Sequence, residues 1–404
     1  MMRTSICCFL TLLAGMAGTA CAWTKGRPDT DRLFPQGPPL EGPRPEPAPP
    51  PIAGVPRVAH SPLHIRFLGV GGFMLESAGD RILTVPLYTR PGLLEVAAGS
   101  VASDAELVVN LLPDAELRDV RAILGGHAHY DHLLDLPAVL ARAPRASFYG
   151  NRAARNILAA YAPDRSSRCA GTAPARPMLA RSRVVALDDP ALSFVDYTYC
   201  PSLRPRGAPL YGTWLQVPGA HARVMAFCSE HPRQLGPIHY AAGTVAEEQC
   251  APPRAAVDWR EGTTLAYLID FTDPASAAPL YRVYYQDAPT NAPLGHVPPA
   301  ILAEKRIDAA LLCVGAYGEV NEAPTATLEA LQPRYAIGGH WENFFRAATD
   351  APQPIPLLDV STWIQRARAA LPTGPADHAL VENGAVAGGR VFVPRPGDQF
   401  EIIP

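Results

Sequence analysis

The chain has 404 residues, 48% of them hydrophobic, and a net charge of −3, an ordinary globular composition long enough for one large domain or two small ones. Basic residues number 35 against 38 acidic ones and form no long single-sign block, so no nucleic acid is expected as a partner.

Residues 1–22 read as an export signal. Arg3 gives a positive start, Ile6 to Ala14 is mostly apolar, and small residues run up to Ala20-Cys21-Ala22. The apolar run is too short to remain as a bilayer-spanning helix. Cleavage after Ala22 follows the A-x-A rule. In the alternative, Gly18-Thr19-Ala20-Cys21 serves as a poor lipobox and Cys21 becomes an acylated membrane anchor. The expected location is exported, periplasmic or associated with the cell envelope. Residues 23–62 are dense in proline and cannot sustain helix or ladder hydrogen bonding, so they form an extended tether or an arm packed on the domain. Export permits disulfides, and five cysteines follow the signal. Cys313 sits in the apolar run "AALLCVGAY" and reads as a small buried hydrophobe; Cys169 with Cys200, and Cys228 with Cys250, are the candidate pairs.

The folded part spans residues 63–404. "LHIRFLGVGGFMLES" and "DRILTVPLYT" read as paired strands joined by a Gly-Asp turn. "AILGGH" is a strand ending on His127, and "LLDLPAVLARA" is a helix whose start Pro137 breaks or delays. "ASFYGN" is strand-like and "NRAARNILAAY" has helical spacing. The second half continues in the same way, with strands "ARVMAFCSEH", "TTLAYLIDF", "YRVYYQD" and "AALLCVG", helix "TATLEAL", strand "RYAIGGH" and helix "VSTWIQRARAAL". Strands alternating with helices in two similar halves predict an α/β sandwich.

Four of the apolar runs end on a metal-ligand type. They close at His127, His231, Asp287 and His340, and "GGHAHYDHLLDLP" adds His129, Asp131 and His132. Strand ends place side chains rigidly beside accessible loops, so convergence of these four ends makes one site of five imidazoles and two carboxylates, a donor set for borderline divalent ions. The competing readings are a hydrogen-bonded polar loop for residues 127–132, a backbone-satisfied His340, a turn-starting Asp287 and a surface His231. His221 and His239 rival His231 as third histidine of the first set. Tyr130, Trp341 and Glu342 flank proposed ligands as pocket lining or as core. No G-x-S-x-G elbow, P-loop or dinucleotide fingerprint is present.

H-x-H-x-D-H after a strand, followed by an isolated His, Asp and His, resembles the metallo-β-lactamase superfamily, from about Leu63 to Phe345. "GGHWENFF" and the wide spacing to Asp287 resemble the branch holding N-acylphosphatidylethanolamine phospholipase D and lactonase-like hydrolases. The resemblance implies a four-layer αββα sandwich. It implies two divalent ions, zinc first with manganese or iron as alternatives: one on His127, His129 and His231, the other on Asp131, His132 and His340, with Asp287 bridging. It further implies hydrolysis by a bridging hydroxide, with Asp131 as the catalytic residue that orients it and accepts its proton. A phosphodiester or ester of small-molecule or lipid-like character is the expected substrate; a lactonase or β-lactamase-like amidase, and a metal-binding scaffold without turnover, are the alternatives. One departure stands out: Val85 precedes Pro86 where the family often carries an acidic residue, so a partner that orients the ligands is either missing, which favours the scaffold alternative, or supplied from elsewhere.

Overall fold

The computed structural model describes residues 61–164, 166–189, 211–234, 236–371 and 379–403. The export signal, Cys21, the tether up to residue 60 and Cys200 lie outside them.

The chain enters through an antiparallel meander of β1 (Leu63–Gly69), β2 (Gly72–Ser77) and β3 (Asp80–Thr84). Ser77 pairs with Asp80, so the turn residues are Ala78 and Gly79, one position earlier than the expected Gly-Asp turn. Both have positive φ, 52° and 88°, the two-residue turn whose twist suits a hairpin and which favours glycine. The segment between β3 and the next strand holds three short helices the sequence did not signal, α1 (Leu93–Ala98), α2 (Ala105–Leu111) and α3 (Asp114–Leu117). Each buries a single residue, Val96, Val108 and Leu117 respectively, so none carries an apolar stripe of helical period.

β4 (Val120–Leu124) and β5 (Ser147–Gly150) continue the sheet in parallel. β4 stops at Leu124, before His127, and Gly125-Gly126 begin the loop. The helix expected at 133–143 is divided into α4 (Tyr130–Leu133) and α5 (Leu136–Arg142), with Pro137 in the first turn of the second, where it lacks only a bond that would be orphaned anyway. After α6 (Arg152–Leu158) come β6 (Val184–Ala186), β7 (Leu215–Gln216), β8 (Ala222–Cys228), β9 (Leu265–Thr272) and β10 (Pro279–Gln286). Then follow α7 (Pro299–Glu304), β11 (Ala309–Cys313), α8 (Thr325–Leu331), β12 (Tyr335–Gly339), α9 (Val360–Ala370) and four closing strands, β13 (Ala379–Glu382), β14 (Ala385–Val386), β15 (Val391–Phe392) and β16 (Gln399–Ile403).

Two sheets result, in the order β14-β13-β16-β1-β2-β3-β4-β5-β6 and β15-β12-β11-β10-β9-β8-β7 among the described residues. The chain's last strand therefore pairs with its first described one. Strand alternation sorts side chains into three apolar layers. Ile65, Phe67, Ile82, Ala122 and Leu124 of the first sheet meet Tyr267, Ile269, Val283, Tyr285, Leu311 and Ile337 of the second in one cluster. Intervening residues face outward: Leu83 and Ile123 pack with α5 and α6, while Leu268, Tyr284, Ala310 and Ala336 pack with α8 and α9. The architecture is thus the expected αββα sandwich.

Cys169 bonds to Cys250, which corrects both candidate pairs involving them. The reason is local: Gln249 N donates to Asn156 O at 2.8 Å, and Arg181 pairs with Glu248, so the chain before Cys250 lies along α6 and Cys169 follows that helix. Cys228 is likewise disulfide-bonded, and Cys313 is a buried free thiol, the state its apolar surroundings imply.

On the outer face of the second sheet, fully buried Arg282 donates to both oxygens of fully buried Asp270, at 2.7 and 2.8 Å, and to the carbonyls of Ile301 and Lys305, at 2.6 and 2.9 Å. Truncation would strand these acceptors away from water. Arg282→Ala is expected to lower the unfolding free energy by about 3 kcal/mol in urea denaturation; a loss under about 1 kcal/mol would show that Arg223, which also donates to Asp270, compensates for it.

Candidate metal centre

β8 and β10 both run antiparallel to β9, and β10, β11 and β12 are mutually parallel, so the ends of β8, β10 and β12 lie on one edge of their sheet. The loop after β4 is fastened to that edge. Gly126 O accepts from Leu265 N at 2.7 Å, Ala128 N donates to Glu261 O at 2.8 Å, and Gly126 N donates to Asp287 Oδ2 at 2.9 Å. His129 then caps α4, which carries Asp131 and His132 in its single turn.

All seven expected donors gather here. His127, His129 and His231 form one group, His127, His132 and Asp287 a second, and Asp131, His132 and His340 a third; within each, the donor atoms lie within 4.8 Å of one another. The His231 ring stands 4.6 Å from that of His127 and 4.8 Å from that of His129, although it sits in the loop beyond β8 rather than at the strand's end. His221 lies at the opposite end of β8, its N–H bonded to Asp80. His239 stacks on His231 at 5.9 Å and its Nε2 lies 2.7 Å from Glu261 Oε2, on the outer side of the cluster. Asp287 lies between the sets, Oδ1 3.2 Å from His127 Nδ1 and Oδ2 3.5 Å from His132 Nδ1.

The donors fit cations. His127 Nε2, His129 Nε2, both ring nitrogens of His132, and His340 Nδ1 are buried without a hydrogen-bond partner among the described residues. Unpartnered buried polar atoms of this number are costly and call for a ligand. Burial, with neighbouring imidazoles, holds His127 and His129 well below the ordinary histidine range. Burial pushes His132 down to about 3 and His231 down to about 4. These rings are neutral lone-pair donors at physiological pH, the form a metal needs. Burial raises the Asp131 carboxyl, but His132 and His340 outweigh it and hold it well below the usual carboxylate range. Burial raises Asp287, opposed by His132 and the Gly126 N–H.

The orienting partners that Val85 does not provide come from the backbone and from one carboxylate. Val85 itself is apolar core. His231 Nδ1–H donates to Pro232 O at 2.7 Å, which leaves Nε2 as its ligand atom. His340 has a positive φ of 55° and its N–H donates to Val70 O at 2.7 Å; Val70 N in turn donates to fully buried Glu342, which also pairs with Arg90. Glu342 is thus a clamp, and fully buried Trp341 belongs to the core, donating to Pro394 O. Tyr130 lines the cavity.

That cavity, of 250 Å³, has Asp131, His231, Asp287 and His340 in its wall. Glu261, beside His129 and His239, was not flagged by the sequence; it lies before a strand rather than after one, so the strand-end rule passes over it.

No family model and no curated protein matches the chain. Among solved structures it is similar to a metallo hydrolase from the archaeon Ignicoccus hospitalis, at 14% identity over 84% of this chain and 98% of that one, with a TM-score of 0.42. It is similar to a metallo-β-lactamase-fold protein from Bacillus subtilis, at 11% identity over 84% and 99%, with a TM-score of 0.40. A diiron β-hydroxylase from Streptomyces venezuelae is similar at 12% identity over 87% of this chain and 55% of that one, with a TM-score of 0.40. The αββα assignment stands on the pairing and packing given above, and the finer likeness to the N-acylphosphatidylethanolamine phospholipase D branch is not carried by these three.

Gly126 has no room for a side chain: an added Cβ would fall 2.0 Å from Asp287 Oδ1. Gly126→Ala must therefore displace the carboxylate between the two sets. The expected result is loss of at least half the bound metal by elemental analysis, with far-UV circular dichroism unchanged; full metal retention would show that Asp287 is not a ligand.

Proposed function

We propose that this chain is an exported metal-dependent hydrolase of the metallo-β-lactamase type, with two divalent cations, zinc first, held by His127, His129 and His231 and by Asp131, His132 and His340, Asp287 serving both. One observation carries the reading: the contiguous donor groups whose buried imidazole nitrogens have no protein partner among the described residues. Bound there, divalent cations supply Lewis acidity and lower the pKa of water toward neutrality.

The chain's own residues do the rest. Asp131, held ionised, is acceptor-only and lines the cavity, so its carboxylate orients an attacking water and takes its proton. The Tyr130 hydroxyl is buried, keeps its proton because burial raises it well above the ordinary phenol range, and has no partner among the described residues. His340, fixed through Val70 and Glu342, holds Asp131 Oδ2 at 3.2 Å from its Nε2 and so limits the directions the carboxylate can take. Export is supported by the Cys169–Cys250 disulfide, a bond that persists in oxidising compartments.

Purified protein is expected to hold two equivalents of metal, His127→Ala to lose at least one, and chelator to abolish hydrolysis of a member of a phosphodiester, ester, lactone and β-lactam panel, with zinc or manganese restoring it. Metal bound without turnover on any member would favour the scaffold alternative, and no metal after reconstitution would sink the site. For the envelope, acylation at Cys21 predicts that Cys21→Ala moves the protein from the membrane to the soluble fraction; an unchanged soluble distribution points to cleavage after Ala22.

A further inference from the structure

We infer that the substrate is a neutral carboxylic ester carrying an apolar acyl group, not a phosphodiester; the inference rests on the hydrolase reading above and narrows it. Beyond its donor-lined end, the cavity wall is apolar. Leu93 and Val96 come from α1, Ile238 from the loop after His231, and Phe344, Phe345 and Leu357 from the segment after His340.

Among the described residues, no lysine or arginine lines this cavity. A phosphodiester stays anionic at neutral pH, so in this cavity only the cations proposed for the donor groups would offset its charge, with no guanidinium or ammonium in the wall beside them. Arg90, on the His340 side, is committed to Glu342, and Arg233, two residues beyond His231, lines the adjoining polar cavity that shares His231 rather than this apolar one. An ester asks for less: no offsetting charge, and an apolar trough for its acyl chain. In the reaction, water adds to the acyl carbon, the bond from that carbon to the leaving oxygen breaks, the acid keeps the new oxygen, and the proton ends on the alcohol.

The rim adds an independent observation. Leu357 is 65% exposed and holds φ at 70°, and Ala316, on the same wall, holds φ at 56°. An apolar side chain left in water on a left-handed residue is doubly unfavourable, and such outliers at a cavity wall point to a ligand that covers them. Leu94, beside Leu93 on α1, is 76% exposed.

The test uses the full-length, metal-loaded protein with p-nitrophenyl acetate, butyrate and octanoate beside bis(p-nitrophenyl) phosphate, and displacement of the neutral dye Nile red by octanol with and without metal. Each buried methylene is expected to raise kcat/KM by about two- to four-fold, so octanoate, four methylenes longer, should exceed butyrate by roughly fifteen- to two-hundred-and-fifty-fold. Leu357→Ser, an exposed position that leaves metal content unchanged, should flatten that slope and weaken dye binding. A flat chain-length profile in the wild type, or a larger kcat/KM for the phosphodiester, overturns the inference while leaving the hydrolase standing. No turnover on any compound, with octanol still displacing the dye, overturns the hydrolase reading and the ester with it, and leaves only an apolar cleft. Dye binding insensitive to octanol or to Leu357→Ser removes the cleft itself.

Discussion

Everything at this site depends on how the two sheets are joined at Gly126. Its carbonyl takes a hydrogen bond from Leu265 at the start of β9, and its N–H donates to Asp287 at the end of β10, so one residue of the first sheet's loop bonds twice to the second. Ala128 N to Glu261 O, Tyr267 Oη to Gly125 O and His340 N to Val70 O add further directional bonds between the same ends of the two sheets. With the loop fastened, His127, His129, Asp131 and His132 cannot drift from His231, Asp287 and His340. The absence of a side chain at residue 126 is part of the joint, since the carboxylate occupies the space a Cβ would need.

The cost of that arrangement is electrostatic. The second sheet also buries charge on its outer face, at Arg282 and Asp270, but there donors and acceptors meet one another at hydrogen-bonding distance. At the candidate centre imidazole lone pairs face one another instead, and burial keeps the rings neutral rather than protonated and repelling. The first cluster completes itself and contributes to folding. The second is left incomplete by the protein alone, and local polar dissatisfaction of this kind belongs to sites selected for binding rather than for stability.

The sequence made the layered fold legible because short strand-like apolar runs, such as "ASFYGN" in the first half and "TTLAYLIDF" and "YRVYYQD" in the second, alternate with helical stretches along the chain. The donor cluster was legible because three histidines and an aspartate fall within six positions. The helices between β3 and β4 were not, since each buries only one residue and shows no apolar stripe, and the closing strand β16 was not, since its partner β1 lies more than three hundred residues earlier and nothing local marks the pairing. The disulfide was misassigned because sequence neighbours were favoured over Cys169 and Cys250, which the packing around α6 brings together. Glu261, Glu342 and Pro232 act through backbone contacts or through loops whose courses only the tertiary structure defines.

Four of the ten non-glycine residues with positive φ among the described residues lie at this centre or its cavity wall. They are Val70, Ala316, His340 and Leu357, with φ between 53° and 70°. Val70 is the least tolerant of the four, because a β-branched side chain crowds the backbone in that region. It persists because both its backbone groups are engaged, N–H to Glu342 and carbonyl to His340 N–H. Strain of order 1–3 kcal/mol per residue survives only where the surroundings overdetermine it. Here it places His340 over Asp131, so the conformational cost of Val70 and His340 is converted into the direction of one imidazole. A chain that only needed to fold would gain by relaxing either residue; one that must present a donor at that point cannot.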